Sequence, residues 1–284
     1  MIKSLLLLVI VAASALCQAI PSADEQSRAI LDKALKESNP DTRKQAVMAL
    51  SLAGAGEPFL SQVASMLDDK DVEVRLAAVA SLVDLPTERT TVLLRKALND
   101  EVPEVSFAAA RALWSLNDSE GKAALFSILS GETKATTGFF PKQKRDAMRL
   151  MHTPRTMFMF ALIHGAAFAP VPGLGAGVAS MQGLLADAGV SGRATVALLF
   201  AEEKNAATLQ ALREALSDKD WTVRAAAVHS LALWNDPSLE EDIMPLLDDK
   251  KEAVRLRAAA GYLRLELVKG RLGASSKSAA ASAN

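Results

Sequence analysis

Eleven residues after each of five leucines in this chain stands an alanine. The leucines are Leu35, Leu67, Leu98, Leu216 and Leu247; the alanines are Ala46, Ala78, Ala109, Ala227 and Ala258. The leucines are 32, 31, 118 and 31 residues apart, and the long interval equals two periods of 31 plus 56. A repeat of this length restricts the fold more than any other feature of the sequence. Each unit is one supersecondary element, too small to bury its own apolar side, so successive units must stack.

The unit reads as two helices. Position seven after the leucine is Thr42, Val74, Val105, Val223 and Val254, and position fifteen is Leu50, Leu82, Leu113, Leu231 and Tyr262. With the alanine at eleven, these steps of four form one helix face. Asn39, Asp71 and Asp220, at position four, are residue types that cap helix N-termini. Pro40 and Pro103 fall at the first helical position, where a missing N–H costs nothing. A second helix precedes each of these and ends at the leucine, over residues 59–67, 91–98 and 209–216. Ser22 and Glu25 have capping-box spacing before the first such helix. Pro245 lies inside the last and should kink it or delay its start. Alanine, a strong helix former and a poor strand former, occurs 52 times in 284 residues, so the expected class is all-α. Leu185, Arg193, Val196 and Phe200 keep the same frame as a degenerate sixth copy, with Val in place of the alanine.

The strings Leu67-Asp68-Asp69-Lys70-Asp71-Val72-Glu73-Val74-Arg75-Leu76-Ala77-Ala78 and Asp220-Trp221-Thr222-Val223-Arg224-Ala225-Ala226-Ala227 resemble HEAT repeats of the short bacterial type, related to those of phycobilisome lyases. The resemblance covers about 28–130 and 187–268 and implies an α-solenoid of antiparallel helix pairs. It also implies an Asp/Arg ladder between neighbouring repeats, carried here by Asp71, Arg75, Asp220 and Arg224. Ser106 stands in place of the Arg and Lys251 in place of the Asp, so the ladder is expected to break there. A long surface for binding other proteins is the usual consequence of such a fold, by analogy alone. The lyase relatives act on a pigment, an activity that similar repeats do not transfer.

Residues 1–19 read as an export signal. Lys3 supplies a positive start, residues 5–11 are an unbroken apolar run, and Cys17 and Ala19 suit the −3 and −1 positions of a cleavage site. An uncleaved membrane anchor is a second reading. A lipoprotein signal at Cys17 is a third, although Leu16 is larger than that motif favours. Cys17 is the only cysteine, so no disulfide framework can form.

The insertion, residues 131–186, does not follow the repeat. Lys142, Lys144, Arg145, Arg149 and Arg155 against Asp146 give a net +4 just before a run, 156–186, that contains no Asp, Glu, Lys or Arg. Pro170, Pro172 and Gly173 divide that run into limbs 156–169 and 174–186. As helices these limbs would be roughly 20 Å long, short of the ~30 Å hydrocarbon core of a bilayer, so a helical hairpin is expected. Three placements stay open. The hairpin can dip into lipid through Phe158, Phe160 and Phe168, with Lys142, Lys144 and Arg145 at anionic head groups. It can pack as a buried pair on the concave side of the solenoid. It can also meet a protein partner.

The rest of the sequence excludes more than it suggests. A net charge of −1, from 32 Lys+Arg and 33 Asp+Glu, gives no broad grip on nucleic acid. Gly173-Leu174-Gly175-Ala176-Gly177 fails the dinucleotide fingerprint, because Val178 stands where the third Gly belongs. His152, His164 and His229 lie in separate contexts, with His229 expected on the solvent side, and Glu202-Glu203 and Glu240-Glu241-Asp242 read as solvated charge. Trp114 and Trp234 are expected to fill gaps between repeats and Trp221 to be partly exposed. No catalytic, cofactor or metal residues are expected. The chain therefore divides into a signal (1–19), N-terminal repeats (20–130), the insertion (131–186), C-terminal repeats (187–268) and a disordered tail (269–284). The expected function is a non-enzymatic, exported scaffold for a protein partner. A peripheral membrane protein acting through 156–186 is the first alternative, and an enzyme resembling bilin lyases the second.

Overall fold

A computed structural model of the protein describes residues 21–130 and 192–282. Among them all regular structure is helical. The first copy is α1 (Ala23–Leu35) with α2 (Pro40–Ala53), and the second is α3 (Phe59–Ser65), extended by a 3-10 turn Met66–Asp68, with α4 (Val72–Val83). α5 (Glu88–Ala97) and α6 (Pro103–Ser115) make the third, and α7 (Ser119–Ser130) begins another. After the insertion come α8 (Gly192–Leu199), the pair α9 (Ala206–Ala215) and α10 (Trp221–Leu233), and a last copy ending in α12 (Glu252–Ser282). The first half of that copy is broken as Pro245 predicts. It consists of a 3-10 turn Pro237–Leu239, a single turn α11 (Glu240–Ile243) and a 3-10 stretch Met244–Asp248.

Local chemistry starts the second helices where the repeat places them, whereas α5 and α9 begin three residues earlier than expected, at Glu88 and Ala206. Ser22 and Glu25 form a complete capping box. The Asn39, Asp71 and Asp220 side chains accept backbone N–H groups from Asp41, from Glu73 and Val74, and from Thr222. The stop lies nineteen residues after the leucine. Gly54, Asn117 and Asn235 all sit there with positive φ (105°, 60° and 55°), the left-handed conformation that ends a helix and that Gly and Asn tolerate best. In the last copy that position is Glu266, and nothing turns the chain aside. α12 therefore continues to Ser282, and the tail expected to be disordered from 269 is helical. Gly270 and Gly273 have no neighbour that an added Cβ would meet, and residues 269–276 are all exposed.

The core follows the repeat columns. Ala46, Ala78, Ala109, Ala227 and Ala258 are all fully buried, as are Leu50, Leu82, Leu113 and Leu231. Three expectations need correction. His229 is buried, because both sides of α10 are covered by second helices, α8 and α12. Glu240 is buried too, and its carboxylate accepts Lys269 Nζ at 2.8 Å, which fastens α11 to α12. Trp234 does fill a gap, donating its indole N–H to Phe200 O at 3.0 Å, but Trp114 is 59% exposed.

Spatial order differs from chain order. The second helices form one continuous row, α8–α10–α12–α2–α4–α6. The last copy thus packs against the first, with α12 lying on both α1 and α2. Four hydrogen bonds cross this seam: Arg257 Nη1 to Met48 O at 2.9 Å, Arg264 Nη1 to Leu52 O at 3.1 Å, Gln26 Nε2 to Asp248 Oδ1 at 2.8 Å and Thr42 Oγ1 to Glu252 Oε2 at 3.1 Å. Arg257 is wholly enclosed, and burial holds its guanidinium down at about 10. The two ends of the row are α6 with α7, and α8. These are the points where the chain leaves for the insertion and returns from it.

Candidate interaction surface

In four copies the arginine at position eight, Arg43, Arg75, Arg193 or Arg224, clasps its copy to the next. Arg75 grips Asp100 with two parallel N–H donors, at 2.8 and 3.1 Å, and donates a third to Asp69 O in its own loop at 2.8 Å. Arg43 holds Asp69 in the same way at 2.8 Å twice, and Arg224 holds Asp249 at 2.7 and 2.8 Å. Arg193 pairs with Asp218. The acid in every case lies two residues after the repeat leucine. It also accepts the backbone N–H two residues further on, at 2.8 Å for Asp71, Val102 and Asp220 and 2.7 Å for Lys251. One carboxylate therefore shapes its own loop and receives the neighbour's guanidinium. Bidentate pairs of this kind are the stronger ones.

The anticipated ladder is half correct in its residues. Arg75 and Arg224 are the basic members, whereas Asp71 and Asp220 cap helices and leave the pairing to Asp100 and Asp249. The physical reason is reach: a cap carboxylate is committed to its own N–H groups, while the acid two residues earlier faces the neighbouring copy. Lys251 does not break the ladder, because Asp249 carries the contact. Ser106 does end it, and its hydroxyl bonds Leu98 O at 2.8 Å in place of an arginine. Hydrogen bonding from Arg43 holds Asp69 below the usual carboxylate range, against burial that raises it. Burial likewise pushes Asp249 up, and Arg224 with the Lys251 N–H outweighs it. The recurring Asp at position two is legible in the sequence, while the acid at position four has the character of a cap, which it is.

Phe158, Phe160, Phe168, Lys142, Lys144 and Arg145 lie outside the described residues. Among the described residues no helix is long and apolar enough to cross a membrane, and no cluster of His, Cys, Asp or Glu could hold a metal ion.

Side chains that are buried elsewhere are bare at the ends of the row. At α6 and α7, Phe107, Trp114, Phe126 and Ile128 are exposed. Phe107 and Trp114 occupy positions nine and sixteen, where Leu256 and Leu263 of α12 are buried by the next second helix. α7 itself lies hard against α6 through Gly121, where an added Cβ would come within 2.7 Å of Trp114 N. At the other end, Val196 and Leu199 of α8 are exposed. A groove of about 640 Å³ opens between α8 and α9, lined by Val196, Ala197, Phe200, Ala211, Leu212 and Ala215.

Comparison with known proteins agrees with this architecture. The sequence pattern of HEAT repeats matches residues 57–136 and 180–264, more than half of the chain. No curated protein matches it. Among solved structures, human deoxyhypusine hydroxylase in complex with glycerol is 18% identical, with 86% of this chain and 97% of that one covered and a TM-score of 0.32. An engineered protein is 17% identical, with 88% and 98% covered and a TM-score of 0.25. With its phased copies, buried alanine column and matched segments in both halves, this chain belongs to the HEAT-repeat family.

Proposed function

We propose that the chain is an exported, non-enzymatic HEAT-repeat scaffold that binds another protein at the α6–α7 end of its stack. The observation that carries this reading is the exposure of Phe107 and Trp114, seven residues apart on α6, together with that of Phe126 and Ile128 on the adjoining α7. Large apolar side chains exposed together at the end of a stack are candidates for an interaction site, and aromatic side chains supply much of the energy in such contacts. Arg111 and Lys122 lie over the rings of Phe107 and Phe126 at 5.9 and 6.0 Å. The matching partner is a protein segment with apolar anchors and nearby carboxylates. Export rests on Lys3, the apolar run 5–11 and the small Ala19. A photo-crosslinking residue at position 114 or 126, used in the native cell before fractionation, tests partner and compartment together. Discrete protein adducts outside the cytoplasm are expected. Adducts to lipid alone, or a purely cytosolic chain, would overturn the reading.

A second reading, a peripheral membrane protein acting through residues 156–186, is favoured by their complete lack of full charges. Flotation with anionic liposomes, lost when Lys142, Lys144 and Arg145 are replaced, is the outcome it requires.

A further inference from the structure

The junction between the last copy and the first is fastened differently from the others. Where Asp69, Asp100, Asp218 and Asp249 serve as clasp acids, the first copy has Glu37. Arg255, at position eight of the last copy, donates to Asp249 O in its own loop at 2.8 Å. Arginine appears instead at positions ten and seventeen of α12, as Arg257 and Arg264. In α2, α4, α6 and α10, position ten is Gln45, Ala77, Ala108 and Ala226. Position seventeen of the same helices is Leu52, Asp84, Ser115 and Leu233. Seven residues make about two helical turns, so the two arginines share one face of α12. They donate to Met48 O and Leu52 O, four residues apart on α2. Arg264 also donates its Nε to Asn235 Oδ1 at 2.8 Å, so one side chain touches three copies.

The receiving helix suits them. α4, α6 and α10 close their last turns with the cap N–H groups of Asp84, Leu116 and Trp234. α2 turns away at Gly54 and has no basic residue in its last turn, the end where a helix gathers negative charge. Burial works against Arg257 itself. Its Nη2 is enclosed without a hydrogen-bond partner among the described residues, and the charge that supports it is Asp84, at the end of α4. A buried cation is costly wherever its acceptors are missing, and its best-attested use is to fix register. We propose that Arg257 and Arg264 are the specificity-determining residues of the seam, selecting α2, with α4 behind it, as the neighbour of α12. Leu256 and Leu263 on the same helix are apolar and would suit many helix faces. Only the correct neighbour brings Met48 O, Leu52 O and Asp84 together around the two guanidinium groups. A slipped register, or the exposed α6 face of another chain, lacks that combination and would bury the cations unsatisfied. Apolar contact supplies the strength of the seam, and the arginines its identity.

The test uses the full chain with Cys17→Ser, Gln26→Cys and Asp248→Cys, the last two at positions whose side chains meet across the seam away from the arginines. With both arginines present, a short thiol crosslinker should join 26 to 248 within single chains. Arg257→Met combined with Arg264→Met keeps apolar bulk and removes both charges. In that variant the intrachain product should fall and crosslinked dimers should appear. Products are compared at temperatures of equal folded fraction, read by circular dichroism, so that a change in stability does not enter. If the double variant does not fold, Arg264→Met alone, at the less enclosed of the two sites, is read in the same way. An unchanged intrachain yield without dimers would overturn the proposal, because the neighbour would then be chosen without the arginines. Dimers already formed by the chain with both arginines would overturn it as well. None of these outcomes bears on the crosslinks expected at 114 and 126.

Discussion

Ala78 has no exposed surface, and its four equivalents have none either, which fixes how near the two helices of a copy and their neighbours lie. Ala78→Leu forces a larger side chain into this packed column and is expected to cost about 1–3 kcal/mol, as overpacking does. Ala80→Leu, on the half-buried side of the same helix, should move the thermal midpoint far less. A second pair of variants separates clasp from cap. Asp100→Ala leaves the buried Arg75 guanidinium without its acid and should destabilise by about 3–5 kcal/mol in urea titrations. Asp71→Ala removes only an N-cap and should cost about 0.5–2 kcal/mol. The reverse order would restore the ladder in its anticipated form. Residue types alone could not make this distinction. Asp69 and Asp71 are two positions apart in one loop, and only the direction in which each carboxylate leaves the loop decides which one meets the neighbouring arginine.

The starts of the second helices were legible, because a cap is a local contract between a side chain and N–H groups two or three residues away; the first helices α5 and α9 begin three residues before the expected 91 and 209, at Glu88 and Ala206, on the caps Thr87 and Asn205. Helix stops were legible only in part. Gly54, Asn117 and Asn235 share position nineteen, a column that becomes visible once left-handed backbone is seen at all three. The run from 273 to 284 reads as low-complexity tail by composition, yet its serines and alanines simply prolong a helix that Glu266 fails to end. Beyond Lys269, whose ammonium bonds Glu240 and Glu266 at 2.8 and 3.0 Å, residues 270–276 are all exposed. Ending the chain after Gly270 is therefore expected to leave the thermal midpoint unchanged while the helical circular-dichroism signal falls. A lower midpoint would mean that the extension supports the body.

At the scale of the whole molecule, periodicity predicted how copies stack but not which copies are neighbours. Each copy's sequence specifies only the faces it offers, and the faces of the first and last copies are as complementary as any adjacent pair. The insertion consequently joins the two free ends of the row and does not divide it. A protease site engineered within residues 131–191 should yield two fragments that elute as one particle, held by Arg257, Arg264 and the packing of α12 on α1 and α2. Fragments that separate in dilute buffer would rule the seam out as a stable contact. The same seam imposes a timetable on biosynthesis. Its hydrogen bonds join residues 209 to 222 positions apart, so α1 and α2 are made long before the helix that covers them. At roughly 5–20 residues per second, the first copy waits about 10–45 s with an apolar flank uncovered. The first described copy is thus among the last to be finished, and whatever attends the nascent chain during that interval has that flank to hold.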